Sequence, residues 1–160
     1  MVGPESEGQA NVRKFARFFV VGSSVTVPFF SVTVRKGYGL GAQAMVGGSM
    51  MGREGFCVAW PTAEFGGMNF EGAVRLGYPS ELAAARAKGG EAAERELFEE
   101  LLRKMYERGS AISNTVAGEL DDTIDPVDTR KWILMTLESC PAKARRRRGE
   151  GKKRPAISPW

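Results

Sequence analysis

The residues of this chain best suited to chemistry are Arg35, Lys36, Gly37, Tyr38, Gly39, Leu40, Gly41 and Ala42, set between an apolar segment and a stretch of small residues. Three glycines at alternate positions leave the backbone free to turn its amides outward together. Amides at the start of a helix carry partial positive charge. They can hold an oxygen on which negative charge develops, with no proton transfer. Such a site does not depend on histidine, and the chain has none. That absence excludes serine or cysteine nucleophiles activated by imidazole, and it removes the commonest zinc ligand. Cys57 and Cys140 are far apart with no second cysteine near either, so no metal-ligand spacing or redox pair can be read and no metal is expected. The adjacent acids Asp121 and Asp122 read as loop and capping residues rather than as a general base. The residues alone leave two readings of the glycine turn: an amide site, or a tight strand-to-helix turn whose glycines serve packing. A dinucleotide or P-loop reading fails, because no third glycine follows at the right offset and no Gly-Lys-Ser/Thr occurs.

The elements around the turn follow from periodicity. Val12, Phe15, Ala16 and Phe19 recur at helical spacing among Arg13, Lys14 and Arg17, which predicts an amphipathic helix over 9–22, ended by Gly22 and two serines. A buried strand is expected at 29–34, a short helix at 42–51, a second strand at 56–60 and another helix start at 70–76. Eleven of the 20 glycines fall between Gly37 and Gly77, where the backbone needs freedom or close approach. A helix over 80–88 should stop at Gly89 and Gly90. The strongest helical pattern is 91–108, with Leu97, Phe98, Leu101, Leu102 and Met105 on one face and Gly109 as its stop. Residues 112–124 read as loop and short extended structure, after which Asp128 caps a last helix with Ile133, Leu134 and Leu137 inward. Alternating strands and helices indicate an α/β fold, and no internal repeat is visible in the residues.

With 160 residues, 42% apolar and 26% charged, the chain has the composition of a single soluble globular domain. Its net charge of +4 is unevenly placed. Lys143, Arg145, Arg146, Arg147, Arg148, Lys152, Lys153 and Arg154 stand against Glu150 alone, whereas the rest of the chain holds 15 basic and 18 acidic groups, a net −3. The expected organisation is a folded body over 1–142 and a basic tail over 143–160. A broad nucleic-acid face on the slightly acidic body is not supported, and the tail reads first as a solvated arm. The longest uncharged stretch, Phe18 to Val34, is interrupted by Gly22, Ser23, Ser24, Thr26, Pro28, Ser31 and Thr33, so no membrane segment is expected. Two reduced cysteines suit a cytoplasmic location.

Four spaced blocks then carry a resemblance. Arg35, Lys36, Tyr38 and Gly39 with Met45 match an Arg-Lys-x-Tyr-Gly strand end followed by a small-residue helix. Ala59 to Glu64 form Ala-Trp-Pro-Thr-Ala-Glu. Met68, Glu71, Gly72, Ala73 and Val74 match a Met-x-x-Glu-Gly-Ala-Val helix start. Gly118, Asp121, Asp122, Ile124, Asp125, Pro126, Thr129 and Arg130 match a late Asp-Asp element, and Lys152, Lys153 and Pro155 a lysine-rich ending. In these blocks the chain resembles the carboxyltransferase (beta) subunits of biotin-dependent acyl-CoA carboxylases, such as propionyl-CoA and acetyl-CoA carboxylase. The likeness covers roughly residues 10–160 and corresponds to the later part of the second carboxyltransferase domain.

The resemblance implies a partial crotonase-like (ClpP/crotonase) superhelix of β-β-α units. It implies transfer of a carboxyl group from carboxybiotin, held on a separate biotin carboxyl carrier protein, to an acyl-CoA. Backbone amides of Leu40 and Gly41, or of Gly41 and Ala42 after a one-residue shift, would hold the biotin ureido oxygen. Tyr38 and Gly39 would shape the same wall with Gly41, and the Met68 to Ala73 helix start would lie nearby. Trp60, Pro61 and Glu64 are expected as supporting structure. The partners implied are the N-terminal carboxyltransferase domain or a companion subunit, in an oligomer. This sequence departs from the family where Leu40 and Gly41 occupy Gly-Ala positions and where Asn69 replaces a glycine. The alternative reading is a noncatalytic fold remnant or assembly module, binding a partner through its long helix and basic tail.

Overall fold

The computed structural model describes residues 4–24, 27–46 and 55–140, so the expected basic tail and the end of the 42–51 helix lie outside the described residues. Helices α1 (Pro4–Gly8) and α2 (Asn11–Ser24) lead into strand β1 (Phe29–Thr33). Two β-β-α units follow. The first is β1, β2 (Lys36–Tyr38) and α3 (Gly39–Met45), and the second is β3 (Gly55–Ala59), β4 (Glu64–Gly66) and α4 (Phe70–Gly77). The first strand of each unit joins one parallel sheet of order β1-β3-β5, and the second strand joins a separate parallel pair, β2-β4. Strand β5 is Asp122–Thr123. The fold is thus α/β and a part of the crotonase-like superhelix, with a repeat of geometry that the residues do not display as a repeat of sequence.

Strand β3 is the centre of the core because both of its faces are covered. Cys57 and Ala59 point to one side, packing with Val46, Ala63, Phe65, Ala111 and Leu120. Phe56 and Val58 point to the other, against Ile124 with Phe30, Trp60, Trp132 and Ile133 around them. This is the period-two alternation of a strand with a layer on each face. Rings stack across the second layer, Phe30 to Phe56 at 5.1 Å and Phe56 to Trp132 at 5.8 Å between centroids. Truncating Phe56 to alanine there would cost about 3–5 kcal/mol.

Several boundaries differ from the expectations. Helix α2 runs through Gly22 to Ser24, since one glycine lowers helix stability by only about 1 kcal/mol. Helix α5 spans Pro79–Arg108 but is broken at Gly90, whose φ of 72° and ψ of −162° are non-helical. The glycine signal therefore marks a kink between two helices that abut without a loop. Residues 117–124 are loop and the short strand β5 as expected, but 112–116 belong to helix α6 (Ala111–Val116), capped by the Ser110 hydroxyl, which accepts from the Ser113 amide. Before the last helix, α7 (Thr129–Ser139), the capping side chain is Asp125. It accepts from Val127 in the 3-10 turn Pro126–Asp128, and Asp128 makes no side-chain cap. In α7, Trp132 and Ile133 pack inward, whereas Leu134 and Leu137 are 46% and 52% exposed, contrary to expectation. Periodicity identified an apolar helix but not which of its adjoining apolar edges meets the sheet.

Candidate functional site

The expected glycine turn is divided between two elements. Lys36 to Tyr38 form β2, in register with Glu64 to Gly66 of β4, and helix α3 begins at Gly39. Tyr38 is the cap residue with extended backbone, φ −106° and ψ 134°, and no side chain caps the helix. Gly39 has φ +58°, and a Cβ built on it would stand 2.8 Å from the Gly67 carbonyl oxygen. The sign of φ favours glycine, and the backbone oxygen that a Cβ would meet makes any side chain costly here. Gly39, Leu40 and Gly41 make up the first turn of α3, whose amides have no carbonyl four residues back within the helix. Ala42 is the first residue whose amide finds one, that of Tyr38.

This turn borders an open groove of about 750 Å³ between β1, β2 and α3, with Tyr38, Gly41, Ala42 and Met45 among its lining residues. Three expected site residues, Tyr38, Gly41 and Ala42, line this groove, whereas Gly39 and Leu40 are not among its lining residues and Leu40 is 61% exposed. The Met68 to Ala73 segment is also close: Gly67 faces Gly39, and the Phe70 ring meets Tyr38 edge to face at 5.5 Å. Asn69, the departure from glycine, caps α4 by accepting from the Gly72 amide at 2.7 Å. Its side chain thus has a local structural task.

Glu64 does more than support a strand. Its Oε1 accepts from the Tyr38 hydroxyl at 2.5 Å, and Lys36 Nζ lies 3.8 Å away. Burial first, then the hydrogen bond to Glu64 and its negative charge, hold the Tyr38 phenol far above the usual tyrosine range. Phe70 is in turn fixed by Tyr106 of α5, 4.8 Å away edge to face. The Tyr106 hydroxyl reaches Glu71 at 3.3 Å. Gly109 leaves no room for a Cβ beside Phe70 and the Phe65 carbonyl. The wall Tyr38–Phe70–Tyr106 was not readable from the sequence, because its members come from β2, α4 and α5 at no diagnostic spacing.

The later block is structural. Trp60 Nε1 donates to Thr129 Oγ1 at 3.0 Å, joining the end of β3 to α7. Asp121 Oδ2 accepts from the Cys57 amide at 2.7 Å in the loop before β5, and Asp122 Oδ1, in β5 rather than in a loop, accepts from the Thr123 amide. Cys57 is buried, and both cysteines are free thiols. Burial, with the Asp121 charge behind it, pushes the Cys57 thiol up, and a hydrogen bond with Ser31 acts the other way. A second, apolar groove of about 440 Å³ lies between α2 and α3, bordered by Phe18, Val21, Phe29 and Met45. Among the described residues there is no cluster of metal-ligating side chains, and no helix long and apolar enough to cross a membrane.

Comparison with known proteins shows the family. The carboxyl transferase domain model matches residues 2–155. The propionyl-CoA carboxylase carboxyltransferase subunit of Haloferax mediterranei is 33% identical over 141 residues, 88% of this chain and 26% of that protein. The methylmalonyl-CoA carboxyltransferase 12S subunit of Propionibacterium freudenreichii is 31% identical over 146 residues, 91% of this chain and 26% of the subunit. A crystal structure of a transcarboxylase 12S hexamer superposes with a TM-score of 0.72 at 29% identity, covering 100% of this chain and 29% of the other. A single-chain, multi-domain long-chain acyl-CoA carboxylase gives a TM-score of 0.69 at 47% identity over 85% of this chain and 13% of its own. The chain spans about a quarter of the length of these curated relatives. It belongs to the carboxyl transferase domain family.

Proposed function

We propose that this chain supplies the biotin-side wall of an acyl-CoA carboxyltransferase in the cytoplasm. It would work with an N-terminal carboxyltransferase domain or companion subunit in an oligomer, and receive carboxybiotin from a separate carrier protein. The observation that carries the reading is the uncapped first turn of α3, which reaches the groove at Gly41 and is set by the left-handed Gly39 against Gly67. Amides at that end favour an anionic oxygen. The Leu40 and Gly41 pair is the better donor set, because Ala42 is already engaged within the helix. Carboxybiotin brings the carboxyl group, and its ureido nitrogen becomes the base for the acyl α-carbon once that group leaves. The chain's part is to stabilise negative charge on the ureido oxygen while Tyr38 and Gly41 shape the wall. No side-chain acid or base of this chain is required, which agrees with the structural engagement of Asp121 and Asp122.

The test is reconstitution with a companion polypeptide bearing the N-terminal carboxyltransferase domain, biotinylated carrier protein and propionyl-CoA, with transfer of labelled carboxylate as the readout. Replacing the Leu40–Gly41 amide by an ester removes one N–H and leaves every side chain unchanged. The expected result is transfer that depends on this chain and falls by about a hundredfold or more in the ester. Binding of the companion with no transfer would refute the reading and favour the assembly-module alternative.

A further inference from the structure

We propose that Glu64 is a positioning residue for carboxyl transfer: it holds the Tyr38 side chain in the groove wall and so sustains turnover without touching either substrate. The inference rests on the function proposed above. Its basis is how firmly the backbone that carries the Glu64 carboxylate is held. The Glu64 amide donates to the Arg35 carbonyl at 2.7 Å, β4 pairs with β2 in register, and Glu64 bridges to Ser110 on its other side. Lys36 and Tyr38 share one face of β2, two residues apart, so both reach the same oxygen. Between them Gly37 has the Phe65 ring against it.

Tyr38 is therefore gripped at both ends, its hydroxyl by Glu64 and its ring by Phe70. A phenol donating to a carboxylate makes a charge-assisted bond, stronger than a neutral one. Two consequences follow. The hydroxyl proton is committed to Glu64, so Tyr38 acts as a wall rather than as a proton donor to substrate. Loss of Glu64 would free the ring next to the residue that enters α3, and displacements of about 1 Å near a reacting centre can lower rates by about a hundredfold.

The experiment compares wild type, Glu64→Ala, Glu64→Gln, Tyr38→Phe and the double variant E64A/Y38F in the reconstituted transfer assay. The Tyr38 ring-carbon signal of carbon-labelled tyrosine is followed by NMR in the full chain. Glu64→Ala should lower kcat by about tenfold to a hundredfold and leave KM for the acyl-CoA within about twofold. Glu64→Gln, which keeps an acceptor oxygen, should recover most of that loss. The double variant should be no worse than the more impaired single variant, and the Tyr38 signal should shift in Glu64→Ala. An unshifted signal, additive losses, or an unchanged kcat in Glu64→Ala would each overturn the proposal. Wild type without transfer, with the Tyr38 shift present, would instead refute the proposed function and take the positioning role with it.

Discussion

Gly39→Ala is the most direct test of how the groove wall is built. A left-handed conformation costs an L-residue about 1–2 kcal/mol. The new methyl would also lie 2.8 Å from the Gly67 carbonyl oxygen, a backbone atom that cannot swing aside. Overpacking of that kind adds about 1–3 kcal/mol, so the total destabilisation is about 2–5 kcal/mol. For a chain of this length it corresponds to a fall in Tm of roughly 5–20 °C. Urea unfolding followed by tryptophan fluorescence suits the measurement, because Trp60 and Trp132 both pack on the β3 core. Two further variants separate the contributions. Gly39→Asn tolerates the left-handed φ and retains only the contact, so it should lose about 1–3 kcal/mol. Gly67→Ala places its methyl in open space and should change stability by no more than about 0.5 kcal/mol. A Gly39→Ala protein as stable as wild type, or a Gly67→Ala protein equally damaged, would refute the account of this turn.

Four other outcomes are expected. Asp121→Ala strands the buried Cys57 amide and should cost about 1–3 kcal/mol by denaturant titration; in native protein, alkylation at mildly alkaline pH should label Cys140 well before the up-shifted, buried Cys57. The Tyr38 phenol is raised above its ordinary 10.0, so its contribution to stability is complete below about pH 10 and is lost progressively as pH rises above it. Tyr38→Phe should remove that part of the alkaline slope in unfolding free energy measured against pH. The exposed apolar side chains Val21 at 61%, Met135 at 60% and Leu137 at 52% should drive self-association of the isolated chain, and changing all three to glutamate should lower its sedimentation coefficient.

Much of the architecture was legible because it rests on local rules. The strand Phe29–Thr33, the β3 core strand and the α5 segment after Gly90 each announce themselves through β-branched runs, periodicity or a glycine stop. Helix α6 was not legible, since its start depends on a serine cap without the usual acidic partner three residues on. Strands β2 and β4 are three residues each, too short for any alternation to register, and they exist because they pair with one another. At the site, the glycine spacing pointed to the turn, yet the division at Gly39 depends on a carbonyl 28 residues away at Gly67. The Glu64 contact was hidden for the same reason: side chains 26 residues apart meet through strand register, which no local pattern encodes.

The parallel order β1-β3-β5 also governs the sequence of events in assembly. Its central strand meets partners from residues 29–33 and 122–123, so neither edge can close through a hairpin. Until Ile124 and Trp132 have been synthesised, a nascent chain covers Phe56 and Val58 on one flank only with Phe30, Val32 and Trp60. Consolidation is thereby delayed to a late stage of translation, and an apolar surface is left open to chaperones or to mispairing with neighbouring chains in the interval.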